Sequence, residues 1–180
     1  MFCLDDVERL TTVLKPVYEN QDANAAVALL LRKTGRDLEV LFVKRAEIAY
    51  DPWSGQMALP GGKRNVKDLN LKQTVVRETL EETSINLLSR CRFLGTMEPQ
   101  RPRLRPEMRI LPFVVLLRQK PFIQLNAELE DFSWILLKEL VQRKGVVNFS
   151  FGKVPAYIIG EIVIWGLTYR ILEDFIHILG

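Results

Sequence analysis

Arg77-Glu78-Thr79-Leu80-Glu81-Glu82 follows Leu59-Pro60-Gly61-Gly62 at short range, and these two segments constrain the chain more than any others. On a helix, Glu78, Glu81 and Glu82 fall at i, i+3 and i+4, so the three carboxylates share one face. Like charges at that spacing repel, and a hard divalent cation is the best reason to keep them. Mg²⁺ and Mn²⁺ prefer oxygen ligands and bind where phosphates complete the shell. The plain alternative is a solvated acidic face.

Periodicity around this segment gives the surrounding elements. Leu4, Val7, Leu10, Val13, Leu14 and Val17 recur at helical spacing, with Pro16 near the end. Ala25 to Leu31 is an unbroken apolar run expected to be a buried strand. After the Thr34–Asp37 turn, Leu38 to Lys44 pairs with it as a hairpin. Asp51-Pro52-Trp53-Ser54-Gly55 is a loop by composition, and Met57 to Leu59 is a short strand entering the Gly-Gly turn. A helix is expected from about Leu69 to Thr83, with Val76, Leu80 and Thr83 as its anchoring face opposite the glutamates. Ser84 stands near its end, where a glycine is more comfortable, so a different exit from the helix is expected.

Arg92–Met97 and Ile110–Leu117 read as strands flanking a basic, proline-rich loop, residues 98–106. Phe132–Leu136 is a strand, Leu137–Gln142 a short helix, Val146–Phe151 and Ala156–Ile164 the last strands, and Trp165–Leu179 the closing helix. Hairpins mixed with helices place the chain in the α+β class, and 180 residues are expected to form a single domain, with the first 20 as an N-terminal helix and residues 155–180 packed on it.

Composition narrows the functions. Hydrophobic residues at 48% and charged residues at 26% fit an ordinary globular protein, and a net charge of +3 favours anionic substrates without implying nucleic acid. Only Cys3 and Cys91 are present, with no metal-binding spacing, and they read as inert cytosolic thiols. No signal peptide is visible, and Asp5, Asp6 and Glu8 make the start acidic. Glu161, Arg170, Glu173 and Asp174 interrupt the apolar tail, so no membrane span is expected. The single His177 argues against a histidine zinc site or a Ser-His-Asp triad and reads as structural.

The acidic segment resembles the signature box of the Nudix family. Five residues separate Gly62 from Asp68, which stands for the usual Glu, and eight separate Asp68 from Arg77, one more than the family uses. Thr79 replaces an aliphatic residue, Ser84 replaces the closing Gly, and Ile85 fits the last aliphatic position. The resemblance implies a Nudix-type α/β/α sandwich with a mixed β-sheet. It also implies metal-dependent hydrolysis of nucleoside diphosphates linked to another moiety.

By resemblance the Gly62 carbonyl, Glu78 and Glu82 are metal ligands, and Glu81 ligates a second Mg²⁺ or Mn²⁺ or orients the attacking water. Arg77, four residues before Glu81, orients that carboxylate. Glu128, six residues before Trp134, is the candidate base or extra ligand, with Glu130 and Asp131 as rivals. The partner implied is a small-molecule nucleotide substrate, not nucleic acid or membrane, in a cytoplasmic protein. Family members often form a homodimer. A Nudix module that binds nucleotide or RNA without turnover is the rival from another class, although such modules usually lose box glutamates.

The segment before the box is similar to an extra signature of coenzyme A diphosphatases. Arg45, Ala46, Gly55, Pro60, Gly61 and Gly62 match. Tyr50 stands where a second Arg belongs, four residues rather than three separate it from Gly55, and Leu59 replaces Phe. Ile164-Trp165-Gly166-Leu167-Thr168 also looks like the ending of this subgroup. The substrate implied is coenzyme A or a similar compound; ADP-ribose, NADH or a nucleoside triphosphate are the alternatives. Arg45 and the loop arginines Arg101, Arg103 and Arg105 are candidate phosphate ligands, and Tyr50 and Trp53 candidate adenine-stacking residues. A solvated basic loop and ordinary packing are the competing readings.

Overall fold

The structure is a computed structural model that describes residues 4–17, 22–51 and 53–180. Cys3 and Pro52 lie outside the described residues. The centre is a mixed sheet. β1 (Ala25–Thr34) pairs antiparallel with β2 (Asp37–Arg45) and parallel with β6 (Ile110–Leu117), and β5 (Cys91–Thr96) closes the edge beside β6. On the other side, β2 pairs with β3 (Met57–Ala58) and β7 (Leu129–Leu136), while β4 (Gly61–Lys63) pairs with β1. A separate antiparallel sheet is formed by β8 (Lys144–Phe149), β9 (Gly152–Ile159) and β10 (Ile162–Trp165).

β1 from Ala25 to Leu31 and β6 throughout are apolar because helices and strands cover both faces of the sheet. Ala26, Ala28 and Leu30 alternate with Leu29 and Leu31. The first set joins Leu111, Phe113 and Val115 under α2 (Leu71–Thr83). The second joins Val7 and Leu10 of α1 (Leu4–Val13), Leu137 and Leu140 of α3 (Leu137–Gln142), and Ile171 and Phe175 of α4 (Gly166–Leu179). These layers are the expected α/β/α sandwich.

Several boundaries differ from the sequence expectation. α1 ends at Val13, not Val17: Pro16 disfavours a helical Lys15, which instead exchanges backbone hydrogen bonds with Thr96 at 3.0 and 2.9 Å. α2 starts at Leu71 because Asn70 caps it, its side chain accepting the Gln73 N–H at 3.0 Å. The expected strand Ala156–Ile164 is two strands, with Ile159 and Ile162 facing across the turn at Gly160 (φ 59°). Likewise β8 ends at Phe149, which pairs with Gly152, so Phe151 lies in the turn.

The anchoring face of α2 also needs correction. Leu80 is 44% exposed, while Leu71, Thr74, Val75, Thr79, Glu82 and Thr83 are buried. The helix therefore buries one of its glutamates rather than holding all three away from the core. Ser84 adopts the left-handed conformation (φ 62°, ψ 13°) and donates its N–H to the Leu80 carbonyl at 2.9 Å, so the exit is the one a glycine would give. Among the described residues, no helix is long and apolar enough to cross a membrane.

Candidate active site

α2 lies across β1, and small residues set how closely. Ala26 and Ala28 face the helix, and β4, hydrogen-bonded to β1 through Gly61 and Gly62, is brought against its carboxylates. The Gly61 N–H donates to Glu82 Oε2 at 2.8 Å. A Cβ on Gly62 would stand 2.5 Å from Glu78 Oε2, so the missing side chain is the space that Glu78 occupies. The structure thus gathers Gly61, Gly62, Glu78 and Glu82 at one point.

The three glutamates have different environments. Glu82 is 4% exposed, and its pKa is pushed up to about 7 by burial and by the charges of Glu78 and Glu128, against the opposing effects of the Gly61 N–H and Arg45. Burial also pushes Glu78 up, with Arg77 pulling the other way. Glu81 is exposed and accepts from Arg77 Nη1 at 3.1 Å. The same Nη1 donates to Glu78 Oε1 at 2.8 Å.

Asp68, which the sequence singles out only as a departure from the box, anchors Arg77. Arg77 Nε donates to Oδ1 at 3.1 Å and Nη2 to Oδ2 at 2.8 Å. The Asn65 N–H (2.9 Å) and the Thr74 hydroxyl (3.0 Å) donate to the same Oδ2. Bonding to Arg77 holds the Asp68 carboxyl well below the usual carboxylate range. Its position at the acidic point of the box was the signal for this role.

Glu128 reaches the site through a loop that stoppers the helix end. The N–H groups of Gln124 and Asn126 donate to the carbonyls of Thr83 and Glu82, both at 3.1 Å, satisfying last-turn acceptors of α2. The exposed Glu128 carboxylate then lies close enough to raise the pKa of both Glu78 and Glu82. Its rival Glu130 is tied to Lys44 at 3.3 Å, and Asp131 accepts the Phe132 N–H at 2.8 Å.

The candidate substrate residues divide. Arg45 pairs with Asp51 at 2.8 Å and also acts electrostatically on Glu82. Trp53 packs against Met108 and Ile110, with Arg105 6.0 Å over its ring. Tyr50 is fully exposed in a left-handed conformation (φ 68°). Arg101 donates to the Pro106 carbonyl at 3.2 Å, and Arg103 is exposed on the same loop.

The donor set suits a hard cation. Two carboxylates converge on a glycine backbone, with the charge of Glu128 acting on both and with Arg77 and Arg45 as the cations that oppose it. Among the described residues, no three His, Cys, Asp or Glu side chains are gathered tightly enough to hold an ion by themselves. Hard cations of the Mg²⁺ type are held by one or two carboxylates and completed by water and phosphate oxygens.

Comparison with known proteins bears on this arrangement. The NUDIX domain family matches residues 22–156. The peroxisomal coenzyme A diphosphatase ndx-8 of Caenorhabditis elegans is 30% identical over 143 residues, 77% of this chain and 59% of that protein. An uncharacterized Schizosaccharomyces pombe protein is 37% identical over 109 residues, 57% of this chain and 33% of that protein. The chain thus spans a third to three-fifths of the length of these relatives.

Among solved structures, a MutT/nudix family protein from Enterococcus faecalis has a TM-score of 0.58 at 20% identity, covering 91% of this chain and 64% of that one. A Caenorhabditis elegans Ap4A hydrolase has a TM-score of 0.55 at 21% identity, covering 66% of this chain and 83% of that one. At these identities the structures speak for the fold alone. The box, the fold and a family match over most of the chain agree, and the chain belongs to the NUDIX domain family.

Proposed function

We propose that this protein is a metal-dependent pyrophosphohydrolase that cleaves the diphosphate of coenzyme A or a closely similar nucleoside diphosphate-linked compound. The observation that carries the reading is the convergence of Glu78 and Glu82 on Gly61-Gly62, with Arg77 bridging Glu78 and Glu81. Glu78, Glu82 and the Gly62 carbonyl would hold Mg²⁺ or Mn²⁺, with Glu81 beside them. When bound, the cation supplies polarisation of the diphosphate and counter-charge for the leaving group.

The chain's own groups do the rest. Arg77, fixed by Asp68, keeps Glu78 and Glu81 oriented. The Gly61 N–H fixes Glu82. Glu128, exposed at the rim, takes the proton of the attacking water as its oxygen bonds to phosphorus and the anhydride P–O bond breaks. Arg45 faces the same charge, and Trp53 with Arg105 offers a stacking surface and a cation for the nucleotide.

The coenzyme A reading is supported by the segment Arg45 to Gly62 and by the activity in the name of the Caenorhabditis elegans relative. The mild net charge of +3 suits a small anionic substrate and does not call for nucleic acid. The free thiol of Cys91 fits a reducing compartment such as the cytoplasm. The test is product analysis with coenzyme A, ADP-ribose, NADH and nucleoside triphosphates, with Mg²⁺ or Mn²⁺. Release of 3′,5′-ADP and 4′-phosphopantetheine as the fastest reaction supports the assignment. Faster cleavage of ADP-ribose or NADH keeps the chemistry and overturns the substrate.

A further inference from the structure

The loop between β2 and β3 is organised around Asp51. Its Oδ2 accepts from Arg45 Nη2 at 2.8 Å, and its Oδ1 accepts the Trp53 N–H at 3.1 Å, an Asx turn that sets the backbone at Trp53. The Asp51 N–H donates to the Ile48 carbonyl at 3.2 Å, the Ser54 N–H donates to the Asp51 carbonyl at 3.1 Å, and the Ile48 N–H donates to Ser54 Oγ at 2.8 Å. The loop is cross-tied on itself, with this carboxylate at its centre.

Arg45 stands at a junction. The pairing of β2 with β7 shifts register between Lys44 and Arg45, an irregularity of the kind that re-aims a side chain. The next residue, Ala46, donates its N–H to the Glu128 carbonyl at 2.9 Å, and Arg45 is felt by Glu82. Arg45 Nε is buried and has no hydrogen-bond partner among the described residues. A buried donor left without an acceptor is costly, so an incoming acceptor is favoured there. Asp51 thus holds Arg45 Nη2 and leaves the buried Nε without a partner among the described residues, on a segment tied by backbone to Glu128 and within electrostatic reach of Glu82.

We propose that Asp51 is a positioning residue: through Arg45 Nη2 it fixes the guanidinium that meets the anhydride oxygens of a nucleoside diphosphate-linked substrate, and through the Trp53 N–H it fixes the ring beside which the nucleotide lies. This rests on the reading of the site given above. Asp51 does not touch the substrate; it acts through Arg45. The charges of Arg45 and Arg105 both favour the ionised form of Asp51.

The sign of the effect follows from two opposed terms. Removing the Asp51 charge makes the pocket more positive, which favours an anionic substrate, so KM is not raised. It also frees Arg45, and misplacement of a group that meets the reacting oxygens lowers kcat, by about ten-fold or more. Asp51→Asn keeps an acceptor for the Trp53 N–H, so it isolates the ion pair from the turn.

The experiment is a double-mutant cycle of Asp51→Asn and Arg45→Ala on coenzyme A hydrolysis with Mn²⁺, with Asp51→Glu as the conservative variant and Tm as the fold control. The expected result is a kcat loss of about ten-fold in Asp51→Asn with KM unchanged or lowered, and a further effect below about two-fold once Arg45 is absent. Asp51→Glu recovers most of the loss. An unchanged kcat in Asp51→Asn, or an equal loss in the Arg45→Ala background, overturns the proposal. If the wild type cleaves no diphosphate, the functional reading fails, and the cycle is read on ADP binding by tryptophan fluorescence. Coupling between the two positions then supports the positioning role, and additive effects overturn it.

Discussion

Asp68 grips Arg77 side-on, Oδ1 facing Nε and Oδ2 facing Nη2, and so turns the remaining Nη1 toward both Glu78 and Glu81. The shorter carboxylate comes with a spacer one residue longer than the family's, and the pairing is intact. One buried aspartate therefore sets the geometry of two glutamates without touching either.

Asp68→Asn is expected to destabilise the fold by about 2 kcal/mol at neutral pH, since it weakens a charge-assisted pair at a buried site. The folded-state pKa of Asp68 is depressed, so its contribution is fully present above the ordinary aspartate value of about 4 and is lost as pH falls toward the folded value. Denaturant unfolding at neutral pH should separate the variant from wild type, and the gap should narrow below about pH 3. A gap that is independent of pH would contradict the ion-pair assignment.

Thr79 occupies an aliphatic position of the box, fully buried, and its hydroxyl has no hydrogen-bond partner among the described residues. Thr79→Val, similar in volume, is expected to raise stability by about 1–2 kcal/mol. Thermal unfolding checks this. A loss of stability would mean that the hydroxyl meets a buried water.

The two adjacent glycines should respond differently to alanine. At Gly62 the new Cβ meets the movable end of Glu78, so Gly62→Ala should fold with nearly unchanged Tm and lose turnover by about a hundred-fold. At Gly61, with φ 143°, the Cβ meets backbone atoms of Ala26 and Val27, so Gly61→Ala should lose about 3 kcal/mol or more of stability. Circular dichroism melts and rates on the same two proteins decide it.

Glu128→Gln is expected to lower kcat by about a hundred-fold if the carboxylate takes the proton of the attacking water. Titrating the rate against Mn²⁺ separates that role from metal binding. A base leaves the half-saturating metal concentration unchanged, whereas a ligand raises it.

The shared face of the glutamates was legible because helical spacing alone sets it. The central strands were legible from the unbroken apolar runs of Ala25–Leu31 and Ile110–Leu117, whereas the α/β/α layering was legible through the family resemblance. The burial of Glu82 was not, because it depends on β4 lying against the helix with the Gly61 N–H donating to that carboxylate. The approach of Glu128 was readable only as a family pattern, since bonds from Gln124 and Asn126 to the far end of α2 create it. The turn at Gly160 left a trace in the sequence, but the isoleucines on either side hid it within one apolar run. The role of Asp51 lay in a short loop whose Asp-x-Trp spacing permits an Asx turn without requiring one.

The most direct test is the initial rate of coenzyme A cleavage with and without Mn²⁺, in wild type and in Glu82→Gln. Glutamine can still accept the Gly61 N–H and removes a buried charge, so the variant should fold at least as well as wild type. Wild type is expected to release 3′,5′-ADP in a metal-dependent reaction, and folded Glu82→Gln to run at a rate near background. A folded Glu82→Gln variant that cleaves coenzyme A like wild type, or wild-type cleavage that persists in excess chelator, would contradict that expectation.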